Sequence, residues 1–324
     1  MRAVVVSRTG GPEQLEVVDV ATAVPGPGQV VVDVAAAGVN FLDIYHREGR
    51  YPLALPFVPG QEGAGVVATL GPDVDPALRL RVGDRVVWAS GPGSYADQVA
   101  VDAASVVAVP DAVDLDTAAA LMLQGLTAQY LVTSVHPVAA GDVVVVHAAA
   151  GGVGLLLTQL ASAAGAFVVA TVGDAAKADL ARAAGAGAVV DYPGLAAAVA
   201  AAGDGAGAHA VYDGVGAATF EASLAALRPR GVLALFGQAS GPVPPFDLQR
   251  LTAASAVVTR PTLRHFIATR AELLSRATYL LDAVAAGALA VRIGGVYPLA
   301  EVAQAHTDLA GRATTGKLLL RPGG

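Results

Sequence analysis

The chain has 324 residues, 54% of them hydrophobic and only 15% charged, enough to bury two cores and too apolar for a disordered chain. A net charge of −7 and a pI near 5.3 leave no broad basic field for a phosphate backbone, so nucleic acid is not expected as a main partner. Cysteine is absent, which removes disulfides, thiolate metal ligands and thiol nucleophiles together and fits a reducing compartment.

The first part of the chain is strand-rich. AVVV (3–6), QVVVDVAAAG (29–38), GAGVVATLG (63–71) and GDRVVWA (83–89) are short β-branched runs. Turn signals separate them at Gly10-Gly11-Pro12, Pro25-Gly26-Pro27-Gly28, Gly71-Pro72 and Gly91-Pro92-Gly93. The pattern predicts an antiparallel, partly open barrel over residues 1–121. From about residue 122 the rhythm becomes an alternation. VVVVHA (143–148), FVVATV (167–172), AVVDY (188–192) and HAVYDGVG (209–216) each precede a helical segment, and VLALFG (232–237) follows the last. Repeated strand–helix units predict an α/β domain over residues 122–260, a doubly wound parallel sheet with helices on both faces. AVVT (256–259) is expected to be its last strand. Beyond Arg260-Pro261 come a helix, a strand, a second helix and a final KLLLR strand. This tail, 261–324, does not extend a parallel sheet neatly and is expected to rejoin the first domain.

No charged residue lies between Asp142 and Asp174, and hydropathy alone would suggest a membrane span there. His147, the glycines at 151, 152 and 154, Thr158, Gln159 and Ser162 break the run into strand, turn, helix and strand. A parallel unit buried on both faces has this look, so no membrane partner is expected. The opening MRAVVVSRTGG lacks the apolar region of a signal peptide, and the expected location is the cytoplasm.

HAAAGGVG (147–154) lies where a buried strand turns into a helix. Gly151 and Gly154 take the later two places of a G-x-G-x-x-G fingerprint, with Ala149 at the first and Gly152 and Val153 between them. Glycine lets backbone approach a pyrophosphate, and the N–H groups and dipole of a helix N-terminus stabilise its charge. Cofactor choice is read at the end of the next strand, where Val172 stands in place of the acid that holds the ribose of NAD. Gly173 leaves room for a 2′-phosphate, and Lys177, one of only two lysines among 20 cationic residues, lies one helical turn on. Asp174 opposes a phosphate there. The balance favours NADPH.

Further segments extend the pattern: NFLDIYHREGRYP (40–52), PGQEGAGVV (59–67), QGLTAQYL (124–131), TVGDAAK (171–177), YDGVG (212–216), FGQASG (236–241), VTRPTL (258–263) and RATTGKLLL (312–320). With these in order, the chain resembles, over nearly its whole length, the zeta-crystallin-like quinone oxidoreductases of the medium-chain dehydrogenase/reductase superfamily. The resemblance implies a GroES-like barrel formed by both chain ends, an inserted Rossmann domain, and commonly a homodimer built through the edge of the Rossmann sheet. It also implies cofactor contacts at Asn40, Asp43, Tyr130, Gly152, Val153, Gly173, Lys177, Tyr192, Phe236, Gly237, Ser240 and Arg312, beside the motif glycines Gly151 and Gly154. Gly214 departs from the pattern, since related chains often carry serine there. Zinc-dependent relatives carry a cysteine and a Gly-His-Glu motif in the barrel. Here Asn40 stands near the cysteine position and Gly60-Gln61-Glu62 replaces the motif, too few ligands for a catalytic zinc.

Hydride transfer from a reduced nicotinamide needs mainly proximity and a polarised acceptor. Asn40 is expected to hold the nicotinamide ribose or to donate to an acceptor carbonyl. Tyr45 and Tyr51 are candidate hydrogen-bond or proton donors to the reduced oxygen. Glu62 and Asp43 read better as structural hydrogen-bond partners than as general bases, and His46 as a polar rim residue. The function expected is metal-free, NADPH-dependent reduction of quinones. The alternatives are an NADPH-dependent reductase of enone or enoyl double bonds and, in another class, a non-catalytic NADPH-binding structural or RNA-binding protein.

Overall fold

The computed structural model describes residues 1–89 and 91–323. The chain forms two compact units, one of Met1–Gln124 with the segment from Ile267 to the chain end, the other Gly125–Phe266. The cuts fall a little beyond residues 121 and 260, where the rhythm of the sequence changes.

Six parallel strands make the sheet of the Gly125–Phe266 unit. Their spatial order is Ala188–Val190, Phe167–Thr171, Val143–Val146, Ala208–Asp213, Leu227–Leu235 and Val257–Thr259. Numbered along the chain this is 3-2-1-4-5-6, the dinucleotide-binding order. All four valines of Val143–Val146 are buried, as a central strand covered on both faces requires. The helix Gly152–Ala163 lays Leu155, Leu156, Leu157, Leu160 and Ala161 into the interior. The charge-free stretch therefore folds as a four-residue strand, a twelve-residue helix and a five-residue strand. Among the described residues one helical stretch, Leu115–Val135, is long and apolar enough to cross a membrane by length and composition, and 67% of its apolar window is buried inside the protein.

The winding of the sheet reverses between Val143–Val146 and Ala208–Asp213. Ligands of such sheets lie outside the carboxyl ends of the strands at that reversal. The turns at 147–151 and 213–216 stand there.

The other unit centres on the eleven-residue strand Gln29–Val39. Register shifts near Val31 and Val34 bend it. On one side it pairs with Gly63–Leu70, and on the other with Gln98–Asp102 along its first half and Lys317–Arg321 along its last residues. Arg85–Trp88, Val107–Ala108 and Ile293–Pro298 complete the sheet. The core beneath it includes Val32, Val67, Trp88, Tyr95, Leu318 and Leu320.

Two details depart from the sequence reading. The AVVV run forms Arg2–Val5, which pairs with Glu16–Asp19 in a separate two-stranded ladder; the isolated bridges Ala3–Ala96 and Val6–Phe57 and backbone bonds to Tyr95 and Asp97 join it to the remainder. Its partner EVVD is largely exposed and so carries no apolar signal. The barrel is also not wholly antiparallel. Ile293–Pro298 and Lys317–Arg321 run parallel because the helix Val302–Ala310 carries the chain back between them.

Candidate functional site

The dinucleotide motif sits where the sheet order places it. Gly151 is the N-cap of the helix Gly152–Ala163 and supplies no side chain to its first-turn N–H groups. An uncapped N-terminus of a twelve-residue helix leaves the amides of Gly152, Val153 and Gly154 and the positive end of the dipole to an anion. Gly154 has a packing reason as well, since a Cβ there would stand 2.5 Å from the Ala148 carbonyl oxygen and 2.7 Å from Ala149 Cα. At the end of the neighbouring strand Val172 is buried, and a Cβ built on exposed Gly173 would meet nothing within 4 Å. Asp174 belongs to the next helix. Its carboxylate caps Ala175–Ala183 by accepting the Lys177 N–H at 2.9 Å and pairs with Lys177 Nζ at 3.2 Å, and those bonds hold its pKa below the ordinary carboxylate value. This helix-capping duty explains an acid beside the gap. The phosphate groups of NADPH fit this donor set.

A buried network that the sequence reading passed over underlies the two turns. Asp213 accepts hydrogen bonds from the N–H groups of Val215 (2.8 Å) and Gly216 (3.0 Å) and from the hydroxyls of Thr219 (2.7 Å) and Ser223 (2.7 Å). Ser223 gives its only proton to Asp213, so His147 Nε2–H donates to Ser223 Oγ at 2.9 Å. His147 Nδ1 then accepts the Thr171 hydroxyl at 2.8 Å. Burial lowers the His147 pKa and favours this neutral form. Three strand ends are thereby tied together under the 213–216 turn. The only sequence signals were a histidine closing VVVV and an aspartate closing an apolar strand.

Gly214 now has a physical account: a Cβ there would stand 2.9 Å from the Phe236 ring, so a serine would have to displace it. Gly237 is equally confined, because its Cβ would meet the Gly214 carbonyl oxygen at 2.5 Å. Ser240 gives its hydroxyl proton to Val215 O at 2.7 Å and accepts the Ala218 N–H at 3.0 Å, which braces the same turn. Tyr192 is part-exposed, with its ring 5.7 Å from that of His147. Tyr130 is buried and stacked on Phe266 at 4.2 Å, and burial raises its pKa.

In the barrel unit Asn40 is the N-cap of the helix Phe41–Arg47, and its N–H donates to Asp43 Oδ2 at 2.9 Å. Its side-chain Nδ2 donates to Glu62 Oε1 at 2.9 Å and to Gly38 O at 3.3 Å, while its Oδ1 accepts from Lys317 Nζ at 2.7 Å. Lys317 also pairs with Glu62, both wholly buried, and Glu62 Oε2 accepts the Leu123 N–H at 2.6 Å. Asp43 is wholly buried, with Tyr95 donating to it at 2.9 Å. Burial pushes its carboxyl up to about 7, against the opposing pull of the Tyr95 and Asn40 hydrogen bonds. His306, 3.2 Å from the Tyr95 hydroxyl and 3.3 Å from Arg47, is pushed down to about 3 by burial and by the Arg47 charge. It stays neutral, accepting from Arg47 and donating to Tyr95.

Tyr45 is buried with its edge on Tyr51 at 5.6 Å, and the Arg50 guanidinium lies 5.5 Å from its ring. Tyr51 is 36% exposed, His46 is half-buried beside it, and Arg312 is exposed at a positive φ of 57°. The structure thus gathers Asn40 and Asp43 with Glu62, Lys317, Tyr95 and His306, the last three not singled out from sequence. A zinc ion does not fit this donor set. Glu62 is taken by an ammonium group, Asn40 brings an amide, and among the described residues no group of three or more histidine or acidic side chains is placed to hold a metal.

A six-stranded dinucleotide-binding sheet inserted into a GroES-like unit closed by both chain ends defines the medium-chain dehydrogenase/reductase class. Two family models agree: residues 26–111 match the alcohol dehydrogenase GroES-like domain and residues 152–279 the zinc-binding dehydrogenase family. The chain is 43% identical to a quinone oxidoreductase of Pseudomonas aeruginosa over 97% of each protein, and 40% identical to a 2-haloacrylate reductase of a Burkholderia species over 99% of this chain and 98% of that one. Among solved structures it is similar to a mycobacterial protein in complex with NADPH (49% identity, TM-score 0.96, covering 99% of this chain and all of that one). It is equally similar in fold to Escherichia coli quinone oxidoreductase in complex with NADPH (37% identity, TM-score 0.96, the same coverage). The chain belongs to the quinone oxidoreductase family of that superfamily.

Proposed function

We propose that this protein reduces quinones with hydride from NADPH and without a metal. The observation that carries the reading is the uncapped helix N-terminus at residues 151–154, combined with Val172, Gly173 and Lys177 at the next strand end. When bound, NADPH supplies the hydride. The amides of Gly152, Val153 and Gly154, on the turn that Gly151 forms as N-cap, hold the pyrophosphate, and Gly173 with Lys177 reads the 2′-phosphate. Tyr130, Tyr192, Phe236, Gly237, Ser240 and Arg312 are the further cofactor contacts. Of the barrel residues, Asn40, with Asp43 behind it, serves the nicotinamide end, and Tyr45 and Tyr51 serve the acceptor oxygen.

Lys177 gives a direct check. Lys177→Ala is expected to weaken NADPH binding by about 1–3 kcal/mol through loss of a charge-assisted hydrogen bond, and NADH binding far less. Equal losses in fluorescence titrations with the two cofactors would show that Lys177 does not read the phosphate.

The acceptor follows from what the site lacks. With tyrosine hydroxyls as donors it stabilises only modest developing charge, so the acceptor must already be electrophilic. A reduced quinone oxygen becomes an aromatic phenolate and needs little help, whereas a simple ketone gives a localised alkoxide that calls for a metal or strong donor. NADPH consumption is expected to run fastest with quinones, slower with enones and near zero with simple ketones. Efficient oxidation of simple alcohols would sink the assignment. A second reading, reduction of an activated carbon–carbon double bond, is favoured by the similarity to the 2-haloacrylate reductase; it prevails if enones or haloacrylates outrun every quinone in the same panel.

We further infer a homodimer and a cytoplasmic protein, with neither nucleic acid nor membrane as a main partner. Val257–Thr259 is an edge strand with Val257 half exposed, and an open β-edge invites pairing about a two-fold axis. Light scattering that finds only monomer at micromolar protein would overturn the dimer.

A further inference from the structure

The sequence contains one asparagine, Asn40, and two lysines, Lys177 and Lys317, among 324 residues. Two of these three scarce side chains are bonded to each other in the barrel interior. Arginine provides nearly all the positive charge elsewhere, but at position 317 it would not fit. The Gly38 backbone closes against the pair so tightly that a Cβ there would stand 2.6 Å from Lys317 Cε and would strike the Glu62 carboxylate. A compact ammonium on a thin stem fits this space and a planar guanidinium does not.

The pairing register brings it there. Lys317–Arg321 lies antiparallel to the end of Gln29–Val39, with Leu318 opposite Val39, so Lys317 arrives beside Asn40. The chemistry then leaves the Asn40 amide one orientation. Lys317 has only donors and must face the amide oxygen; an ionised Glu62 has only acceptors and must face the amide nitrogen. Turning the amide over would set NH₂ against ammonium and oxygen against carboxylate. Both amide hydrogens are already used, one on Glu62 and one on Gly38 O, and the oxygen has given one of its two lone pairs to Lys317. No donor is left to Asn40; only Oδ1, which the capping box also turns toward the Asp43 N–H already bonded to Asn40 O, can accept further.

We propose that Lys317 is a positioning residue: with Glu62 it locks Asn40 so that the amide meets the bound ligand as a hydrogen-bond acceptor and not as a donor. This rests on the reading that Asn40 serves the NADPH and quinone site. Its partner must then carry a hydrogen, such as a ribose hydroxyl or the carboxamide N–H of a nicotinamide. A quinone oxygen, which can only accept, is left to Tyr45 and Tyr51. The sequence-based alternative in which Asn40 donates to the acceptor carbonyl is thereby set aside.

Asn40 being the only asparagine, protein made with ¹⁵N-asparagine shows a single side-chain NH₂ pair. In the wild type that pair is expected to exchange slowly with solvent and to keep its two protein partners when NADPH is added. Lys317→Met removes the ammonium at nearly constant length, and Lys317→Met/Glu62→Gln removes both charges, so that a folded protein is available if the single variant is not. In the folded variant the amide protons are expected to exchange about tenfold faster or more, as the lock opens locally. The kcat with a quinone is expected to fall about tenfold or more, while the NADPH dissociation constant moves less than about threefold, because a misplaced reacting end costs rate rather than phosphate binding. A folded variant with an unchanged amide pair and unchanged kcat overturns the proposal, and so does NADPH drawing an amide proton off Glu62. If the wild type shows the locked amide but consumes NADPH with no quinone, the functional reading fails and the positioning of Asn40 by Lys317 stands.

Discussion

Gly154→Ala is expected to lose NADPH binding and to destabilise the protein, whereas Gly173→Ala, at a glycine of the same site, is expected to do little to the fold. A methyl group at 154 would lie 2.5 Å from Ala148 O, 2.7 Å from Ala149 Cα and 2.9 Å from Ala149 C, all backbone. Backbone does not swing aside as a flexible side chain does, so either the helix Gly152–Ala163 moves off the turn or the turn deforms. Overpacking of that kind costs about 1–3 kcal/mol. Either movement also re-aims the amides meant for the pyrophosphate, and a tenfold or greater loss in affinity corresponds to only about 1.4 kcal/mol. At Gly173 the same methyl meets nothing within 4 Å, and the backbone there is not in the left-handed region. The test is a thermal melt and an NADPH titration on both variants. Normal binding by Gly154→Ala would show that the turn yields despite its close contacts with Ala148 and Ala149.

How much of this was legible in the sequence depends on the range of the interaction. The strand–turn–helix at 143–163 is local, so VVVV, the glycines and the leucine spacing announced it. The parallel sheet followed from the repeat of such units. Long-range polar pairing left no such trace. Lys317 reaches Glu62 across 255 positions and His306 reaches Tyr95 across 211, and nothing in the neighbourhood of any of them in the chain reports the partner. Asp213 is similar: it closes an apolar strand, yet the four groups that donate to it come from residues that read as an ordinary turn and helix. The short strands were missed for a different reason. Glu16–Asp19 and Val107–Ala108 bury too few residues for periodicity to show. Gly214 stood out in the sequence only as a departure from the family pattern, and in the structure it leaves no room for a Cβ beside the Phe236 ring.

Removing the carboxylate at position 62 is expected to have the largest effect on stability. Glu62→Leu would leave the Lys317 ammonium wholly buried with only the Asn40 oxygen to face it, and the Leu123 N–H without its carboxylate partner. Breaking a buried ion pair from one side costs about 3–5 kcal/mol, chiefly because the remaining charge has lost both water and counter-charge. Against a total stability of about 5–15 kcal/mol for a typical protein, that is enough to threaten folding. The pair itself is a different matter, since two charges taken from water together are roughly balanced by their mutual attraction. Adding Lys317→Met to Glu62→Leu is therefore expected to restore most of the ionic loss, leaving mainly the lost carboxylate bonds of the Leu123 N–H and the Asn40 side chain. Urea denaturation of the two single variants and the double closes the cycle. A double variant no more stable than Glu62→Leu would mean that the carboxylate acts through Leu123 and Asn40 alone and that the ion pair does not hold this end of the barrel together.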